Sequence, residues 1–320
     1  MRPRTLLGII ALIIIAAAIV VAVLLYYPRG GVELVGFSKE STATVSYAGM
    51  FPAEGEPNLL NPLGIVSRAG NIYVSESDAG RIRVFGLRGQ DEGSIVLPVR
   101  AGAPTAYPSD IATLGTDRLV VVDNSGSRIL ILDADPKAKS PGATVIGESG
   151  ANGVKSPTAV AVDGETIYVA DGGDLTIKAY GSDGAYLRTV VKGSVNTAAY
   201  AGGLVMLDGT LYATDSNAGR MVMFDIATGT TKGTFPGSFA LPRGVGVGIA
   251  GDLLVVDTFQ RVVKLLSPAG APVDVIDGST DSEGSLGSPR GTTWVASTGR
   301  VYVTDAQAGR VVVFNMRVSD

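Results

Sequence analysis

The sequence repeats one pattern six times, and this repetition constrains the fold more than any other feature. Each copy has a lead-in turn, a short apolar strand, a second turn, an apolar run that ends in an acid, and a β-branched run. The two clearest copies start at Pro62 (PLGIVSRAGNIYVSESDAGRIRVF) and at Pro289 (PRGTTWVASTGRVYVTDAQAGRVVVF). Continuous repetition indicates a repeat architecture, and it leaves little of the chain for an added catalytic domain.

The acid that ends the second strand aligns the six copies. Successive acids are separated by 42 to 48 residues, which matches a propeller blade of four short strands. The sequence therefore predicts an all-β fold, a six-bladed β-propeller with four-stranded antiparallel blades. The aligned acids are Glu76, Asp123, Asp171, Asp215, Asp257 and Asp305.

A basic residue follows the acid by five positions in four copies, at Arg81, Arg128, Arg220 and Arg310. Thr176 takes this place in the third copy, and in the fifth copy Arg261 lies one residue earlier. A residue pair that recurs in each repeat unit is expected to stabilise the packing of that unit, whereas a binding site needs only one copy. We therefore interpret these residues as structural. The acid accepts backbone N–H groups in the turn, and the arginine pairs with the acid or with the next blade.

The last copy lacks an outer strand, because the chain ends soon after the strand predicted at 310–314. The β-prone segment 43–50 (ATVSYAGM) precedes the first copy and has no other assignment. Pairing the two ends would leave no long open sheet edge. The sequence thus predicts a Velcro closure in which residues 43–50 lie against residues 310–316. The other outer strands are predicted at 94–99, 143–147, 187–191, 230–235 and 271–276.

Residues 6–27 form an uncharged apolar run. As a helix this run would be about 33 Å long, enough to span a hydrocarbon core of about 30 Å. Arg2 and Arg4 precede it, so the positive-inside rule predicts a cytoplasmic N-terminus. A cleavable signal peptide is the competing interpretation, although its apolar core is normally only about 7–15 residues long. The predicted segments are a cytoplasmic stub (1–5), a transmembrane signal-anchor helix (6–27), a linker (28–42) and an extracytoplasmic propeller (43–320).

The composition excludes several classes of chemistry. The chain has no histidine and no cysteine, which removes Ser-His-Asp and Cys-His nucleophilic systems, imidazole zinc sites and haem on a proximal histidine. Catalysis would have to use carboxylates, lysine, tyrosine or an oxygen-ligated metal. The formal net charge is −4 and no basic block occurs, which argues against a nucleic-acid partner.

Three elements of the repeat resemble those of NHL-repeat propellers, and the resemblance covers residues 43–320. They are a P-x-G lead-in (62–64, 242–244 and 289–291), a Y-V-x-D-like element (73–76, 168–171 and 302–305) and a G-R-I-x-V-F-like element (80–85 and 309–314). The elements at 212–215 and 302–305 also resemble the motif of YWTD propellers, but the single tryptophan, Trp294, lies elsewhere in its blade.

The resemblance implies a binding platform, because NHL propellers are mostly sensor ectodomains, scaffolds and in some cases RNA readers. Related amidating lyases use histidines at a zinc site, which this chain lacks. Calcium-dependent lactonases on related propellers use Asp, Asn and Glu in the central channel. We therefore expect a scaffold or sensing module of an envelope complex, with a protein partner at or outside the membrane, and a lactonase-like hydrolase as the alternative.

A ligand site is expected where the copies differ, on the loops that enter the innermost strands. Two guanidinium groups there would suit an anion, and tyrosines would stack or hydrogen-bond. The competing interpretation is that these side chains are solvated rim residues. The candidates for one mouth of the central channel are Tyr107, Asp110, Tyr200, Arg243 and Arg290.

Two acidic stretches, 277–284 (DGSTDSEG) and 171–174 (DGGD), raise the question of calcium. Calcium prefers six to eight oxygen ligands, and neither stretch has the spacing of an EF-hand loop. Solvated turns explain both stretches. We predict no metal site and no cofactor, and calcium remains open only for the hydrolase alternative.

Overall fold

The computed structural model describes residues 43–138, 142–147, 150, 152–193, 201–235, 239–277 and 284–318. The stub, the transmembrane helix and the linker predicted over residues 1–42 lie outside the described residues. Within the described residues, no helix has the length and apolarity needed to span a membrane.

The described strands form six antiparallel sheets of four strands each, so the predicted all-β six-bladed propeller is confirmed. Strand β1 (Ala43–Phe51) belongs to the last blade. Blade 1 contains β2 (Pro62–Arg68), β3 (Asn71–Glu76), β4 (Arg81–Gly86) and β5 (Asp91–Val96), and blade 2 contains β6 (Pro108–Leu114), β7 (Arg118–Asp123), β8 (Arg128–Asp133) and β9 (Ala143–Ile146). Blade 3 contains β10 (Pro157–Asp163), β11 (Thr166–Asp171), β12 (Thr176–Gly181) and β13 (Tyr186–Lys192), and blade 4 contains β14 (Ala201–Leu207), β15 (Thr210–Asp215), β16 (Arg220–Asp225) and β17 (Thr231–Phe235). Blade 5 contains β18 (Pro242–Val247), β19 (Leu253–Asp257), β20 (Val262–Leu266) and β21 (Pro272–Ile276), and blade 6 contains β22 (Pro289–Val295), β23 (Arg300–Asp305) and β24 (Arg310–Val318) together with β1.

The inner strands β2, β6, β10, β14, β18 and β22 each contact the next, and β22 contacts β2. The ring is closed by the two ends of the described chain, because β1 pairs antiparallel with β24 from Ala43 opposite Val318 to Phe51 opposite Val311. The predicted Velcro closure is thus confirmed, with a strand one residue longer than expected. The pairing gives blade 6 its fourth strand and covers the edge of β24 that would otherwise be unpaired.

The predicted position of the outer strand of blade 1 is wrong by three residues. Residues 94–99 were expected, whereas β5 covers Asp91–Val96. The strand starts earlier because a tight turn with Gly89 at φ 86° returns the chain directly after β4. It ends earlier because Pro98 has no N–H to donate to a strand ladder. The other four outer strands lie within one or two residues of the predicted positions.

Neighbouring blades pack face to face, and a central strand contributes to two separate cores. In β7, Leu119 and Val121 belong to the cluster shared with blade 1. Val120 and Val122, in contrast, belong to the cluster shared with blade 3. Successive side chains of a strand point to opposite faces, so a strand that is covered on both faces is apolar at every position. This explains the continuous apolar runs of the sequence.

Candidate functional site

The acids of the repeat connect each blade to the loop that leads into it. The carboxylate of Asp257 accepts backbone N–H bonds from Ala240 and Leu241, at 2.9 and 3.0 Å. The carboxylate of Asp305 accepts them from Gly287 and Ser288, both at 2.8 Å. The loops before the inner strands and the turns that hold the acids therefore share one face of the propeller, the lead-in face. The first residues of each inner strand lie at its centre.

The cation that contacts the acid is supplied in two ways. In blades 1, 2 and 4 an arginine Nε lies 2.5–3.0 Å from the carboxylate of its own blade. In blades 3 and 5 a buried lysine seven residues after the acid takes this place, with Lys178 Nζ 2.8 Å from Asp171 and Lys264 Nζ 3.3 Å from Asp257. These lysines were not predicted from the sequence. The available signal was a lysine at that spacing in the two copies that lack the arginine.

Two arginines depart from this arrangement. Arg261 occupies the left-handed position of its turn, with φ 59° and an exposed side chain, so it does not replace the strand arginine. Arg310 contacts the Sδ atom of Met50 at 3.0 Å and donates to the backbone oxygen of Ser285 at 2.8 Å. Because Met50 lies in β1, Arg310 links the closing strand to its neighbour.

The pKa values of the two buried lysines are shifted in opposite directions. Burial lowers the pKa of Lys264, and the attraction of Asp257 does not compensate for it. Burial also acts on Lys178, but hydrogen bonds to Asp171 and Asp174 outweigh it and raise the pKa of this lysine. Two carboxylates in place of one account for the difference. The carboxylates of the DGGD stretch therefore hold a lysine, and among the described residues no group of three acidic, histidine or cysteine side chains could hold a metal ion.

A cavity of about 320 Å³, the mouth, opens at the centre of the lead-in face. Tyr107 and Asp110 of blade 2, Arg243 of blade 5 and Arg290 of blade 6 all line it. Four of the five candidates from the sequence thus lie in one cavity, as expected from their common position before or within the inner strands. Tyr200 lies outside the described residues. Whether the four residues bind a ligand stays a prediction.

Several polar side chains line the mouth. The hydroxyl of Tyr107 accepts a hydrogen bond from Asn61 Nδ2 at 3.0 Å. Ser109 Oγ and Arg290 Nε are buried and have no hydrogen-bond partner among the described residues. A buried donor without a partner is unfavourable, so these atoms would gain most from an acceptor group that enters the mouth. Asn61 also lines the mouth, and no feature of the repeat pattern had indicated it.

The inner strands approach one another closely below the mouth. The third position of the P-x-G motif is glycine in four blades, and a Cβ atom on Gly244 would clash with the backbone oxygen of Arg290. Blade 2 has Asp110 at this position. Its carboxylate accepts backbone N–H bonds from Ile111 and from Val160 of blade 3, both at 2.9 Å. Asp110 therefore bridges two blades where other blades make direct backbone contact.

Asp110 also lies between two cavities of the central channel. It lines the mouth and a second cavity of about 200 Å³ further along the channel. Although part of Asp110 faces the channel, protein surrounds its carboxyl group. Burial raises the pKa of Asp110 to about 7, against the opposing effect of the bonds from Val160 and Ile111. Near neutral pH this carboxyl is therefore partly protonated, which weakens the only negative charge lining the described mouth.

Replacing Asp110 by Asn is expected to change the melting temperature more favourably at pH 8 than at pH 5, although the amide nitrogen cannot accept one of the two N–H bonds that the carboxylate accepts. The folded-state pKa lies above the ordinary value of 3.8, so the stability from this group is fully present below that value and is lost as the pH rises through about 7. Asparagine stays neutral and avoids the buried charge at pH 8. Thermal unfolding of both proteins at the two pH values checks this expectation. An equal change in melting temperature at both pH values would contradict it.

Comparison with known proteins supports the fold. No protein-family model matches the chain, and no curated protein does. A structural genomics protein of unknown function from Bacteroides thetaiotaomicron is similar, with 18% identity, a TM-score of 0.64, and 86% of this chain and 76% of that chain covered. A streptogramin B lyase has 17% identity, a TM-score of 0.58, and 82% and 80% of the two chains covered.

A third similar structure is virginiamycin B lyase from Staphylococcus aureus with quinupristin, in a catalytically inactive variant that replaces a histidine by alanine. It is 12% identical to the present chain with a TM-score of 0.58, and the superposition covers 82% of each of the two chains. Histidine is absent from the present sequence. At these identities the likeness extends to the fold alone, and the chain shares the β-propeller fold with these lyases.

Proposed function

We propose that this protein is a binding or sensing module that takes an anionic group of a protein partner into the mouth of its propeller. The observation that carries the proposal is the pair Arg243 and Arg290 in one cavity. At the same motif position the other four blades have Leu63, Ser109, Thr158 and Gly202. The two arginines are thus features of one sector of the ring, formed by blades 5 and 6, and they are not part of the repeated framework.

The electrostatics of the mouth favour an anion. A guanidinium group is planar, permanently charged and suited to carboxylates and phosphates. Asp110 opposes the two arginines with less than a full charge near pH 7, because its pKa is raised. The mouth is therefore positive although the whole chain carries a formal charge of −4. Such a local field attracts acidic groups and selects against basic ones.

Replacing Arg290 by Gln is expected to weaken the binding of a carboxylate probe at least about tenfold, since a hydrogen bond to a charged group contributes about 1.5–3 kcal/mol. The probe is the blocked peptide acetyl-Ala-Glu-Ala-amide, measured by isothermal titration calorimetry. Its neutral counterpart, acetyl-Ala-Gln-Ala-amide, should bind much more weakly. Arg88→Gln removes the same charge from an exposed turn between β4 and β5, and it should change the affinity little. Equal effects of the two substitutions would refute the mouth as the anion site.

We place this module outside the cytoplasmic membrane as an NHL-type propeller with a signal anchor over residues 6–27. The support is the length of the uncharged run and the preceding Arg2 and Arg4. The full chain should stay with membranes after extraction at alkaline pH, and an added protease should digest a C-terminal tag in intact cells. Release of a shortened chain into the soluble fraction would show instead that the segment is a cleaved signal peptide.

A further inference from the structure

One exposed position of the repeat differs sharply between the blades. Two residues after the acid, blade 5 has Phe259, which is 62% exposed. A single exposed aromatic residue is common on protein surfaces, so its place relative to the mouth decides what it can do. The same position in the other blades holds small or polar residues: Asp78, Ser125, Gly173, Asn217 and Gln307.

The residue before Phe259 connects it to both arginines of the mouth. The backbone N–H of Thr258 donates to the oxygen of Leu241 at 3.0 Å, two residues before Arg243. The hydroxyl of Thr258 donates to the oxygen of Pro289 at 2.7 Å, one residue before Arg290. Phe259 therefore lies on the lead-in face at the boundary between blades 5 and 6, the sector that supplies both guanidinium groups.

The turn that carries Phe259 is held by hydrogen bonds. The backbone N–H of Gln260 donates to Asp257 Oδ1 at 3.4 Å, and that of Arg261 donates to the oxygen of Thr258 at 3.3 Å. Thr258 itself is only 6% exposed. A turn that is already ordered loses little conformational entropy when its side chain becomes covered, so an exposed aromatic residue on it is well placed to bind.

We propose that the mouth and Phe259 form one recognition surface for a protein segment in which a large apolar side chain lies next to an acidic side chain. The acidic group enters the mouth, where Arg290 Nε is buried without a hydrogen-bond partner among the described residues. The apolar side chain covers Phe259. This inference rests on the proposed function, because it takes the anion site of the mouth as given and adds the chemistry of the neighbouring residue.

A protein segment fits this surface better than a lipid membrane. Stable membrane binding by a protein surface needs several basic residues or several apolar side chains. Phe259 is a single aromatic side chain, and the whole chain carries a formal charge of −4, which anionic lipids would repel. A concave site with two guanidinium groups beside one aromatic residue instead matches a pair of neighbouring side chains on an extended peptide.

The test uses the full chain in nanodiscs of a neutral lipid and two peptide probes, acetyl-Phe-Glu-Phe-amide and acetyl-Ala-Glu-Ala-amide. Calorimetry is expected to show that the wild-type protein binds the Phe-containing probe about tenfold more tightly, since burial of apolar area adds to the charge interaction. Phe259→Ala should remove this preference and leave the affinity for the Ala-containing probe unchanged. Leu187→Ala, which truncates another exposed apolar residue on blade 3, should keep the preference.

The outcomes separate this inference from the proposed function. If the Ala-containing probe binds in an Arg290-dependent way but Phe259→Ala leaves the preference for Phe intact, the inference alone is wrong. The inference alone is also wrong if the wild-type protein binds the Ala-containing probe and the Phe-containing probe equally tightly. If neither probe binds the wild-type protein, the proposed function fails and the inference fails with it. Binding to phosphatidylglycerol vesicles that depends on Phe259 and exceeds binding to both peptides would assign the surface to lipid and overturn the protein partner.

Discussion

Replacing Asp123 by Ala is expected to lower the free energy of unfolding by about 3–5 kcal/mol, the usual loss when one partner of a buried ion pair is removed. Asp123 is fully buried and accepts hydrogen bonds from Tyr107 N at 2.9 Å, Gly126 N at 3.2 Å and Arg128 Nε at 2.9 Å. Its loss leaves a guanidinium group that is 4% exposed without its carboxylate. Urea unfolding of the two proteins measures the difference.

Two further variants make this prediction specific. Asp135→Ala removes an exposed carboxylate of the same blade that accepts a local bond from Lys137 N, so the free energy of unfolding should change by less than about 0.5 kcal/mol. Combining Asp123→Ala with Arg128→Met removes both buried charges, so part of the lost stability should return. A loss for Asp123→Ala no larger than that for Asp135→Ala would show that the repeated acid is dispensable. The structural interpretation of the acids would then be wrong.

The loss of the Asp123 carboxylate is also expected to affect the candidate site. Tyr107 lines the mouth, and its backbone N–H is one of the groups that Asp123 holds. The same relation recurs in blade 5, where Asp257 holds the loop before Arg243. Asp123 and Asp257 thus do not line the mouth, yet they hold the loops that carry mouth residues. This division explains how an even repeat can carry a site formed by only a few blades.

Replacing Phe51 by Ala is expected to destabilise the propeller by about 3–5 kcal/mol, the typical loss for a buried phenylalanine. Phe51 ends β1, is 3% exposed, and its ring lies 4.7 Å from Phe85 of blade 1 and 6.3 Å from Tyr302 of blade 6. It therefore connects the closing strand to the blades on both sides of the closure. The melting temperature should fall by at least about 6 °C, given about 2–4 °C per kcal/mol for a domain of this size.

Phe259→Ala serves as the matched control for this second prediction. It makes the same chemical change at a residue that is 62% exposed, so the melting temperature should stay nearly constant. Phe51→Leu keeps much of the buried volume and should lie between wild type and Phe51→Ala. If Phe51→Ala unfolds at the temperature of wild type, the closure contributes little to stability, and the ring is held by the other interfaces between blades.

Most of the fold could be predicted because each blade meets the same physical demands. A strand covered on both faces must be apolar throughout, and a tight turn favours glycine or a polar residue, so these features recur at a constant period. The closure could also be predicted, since an unpaired edge strand is unfavourable. The position of β5 could not be predicted, because it depends on where the chain leaves the strand ladder near Pro98. The observed strand begins and ends three residues before the predicted one.

The candidate site could be predicted in part. Tyr107, Asp110, Arg243 and Arg290 were identified because they lie just before or at the start of inner strands, and the structure brings them to one cavity. The second contact of Asp110, with Val160 of the next blade, depends on the distance between two inner strands, which no local pattern encodes. The pairing of Lys178 and Lys264 with the acids was not predicted, although both lysines follow the acid by seven residues in the copies that lack the arginine.

The sequence by itself determined the number of blades, the order of their strands and the exclusion of chemistry that needs histidine or cysteine. These properties follow from composition and from a period that local interactions impose on every copy. The tertiary structure alone decided which groups of the described residues are buried, why the pKa of Asp110 is raised to about 7, and that Phe259 is exposed in the turn whose Thr258 contacts blade 6. These depend on residues far apart in the chain, because burial and electrostatic environment arise only when the blades have closed into a ring.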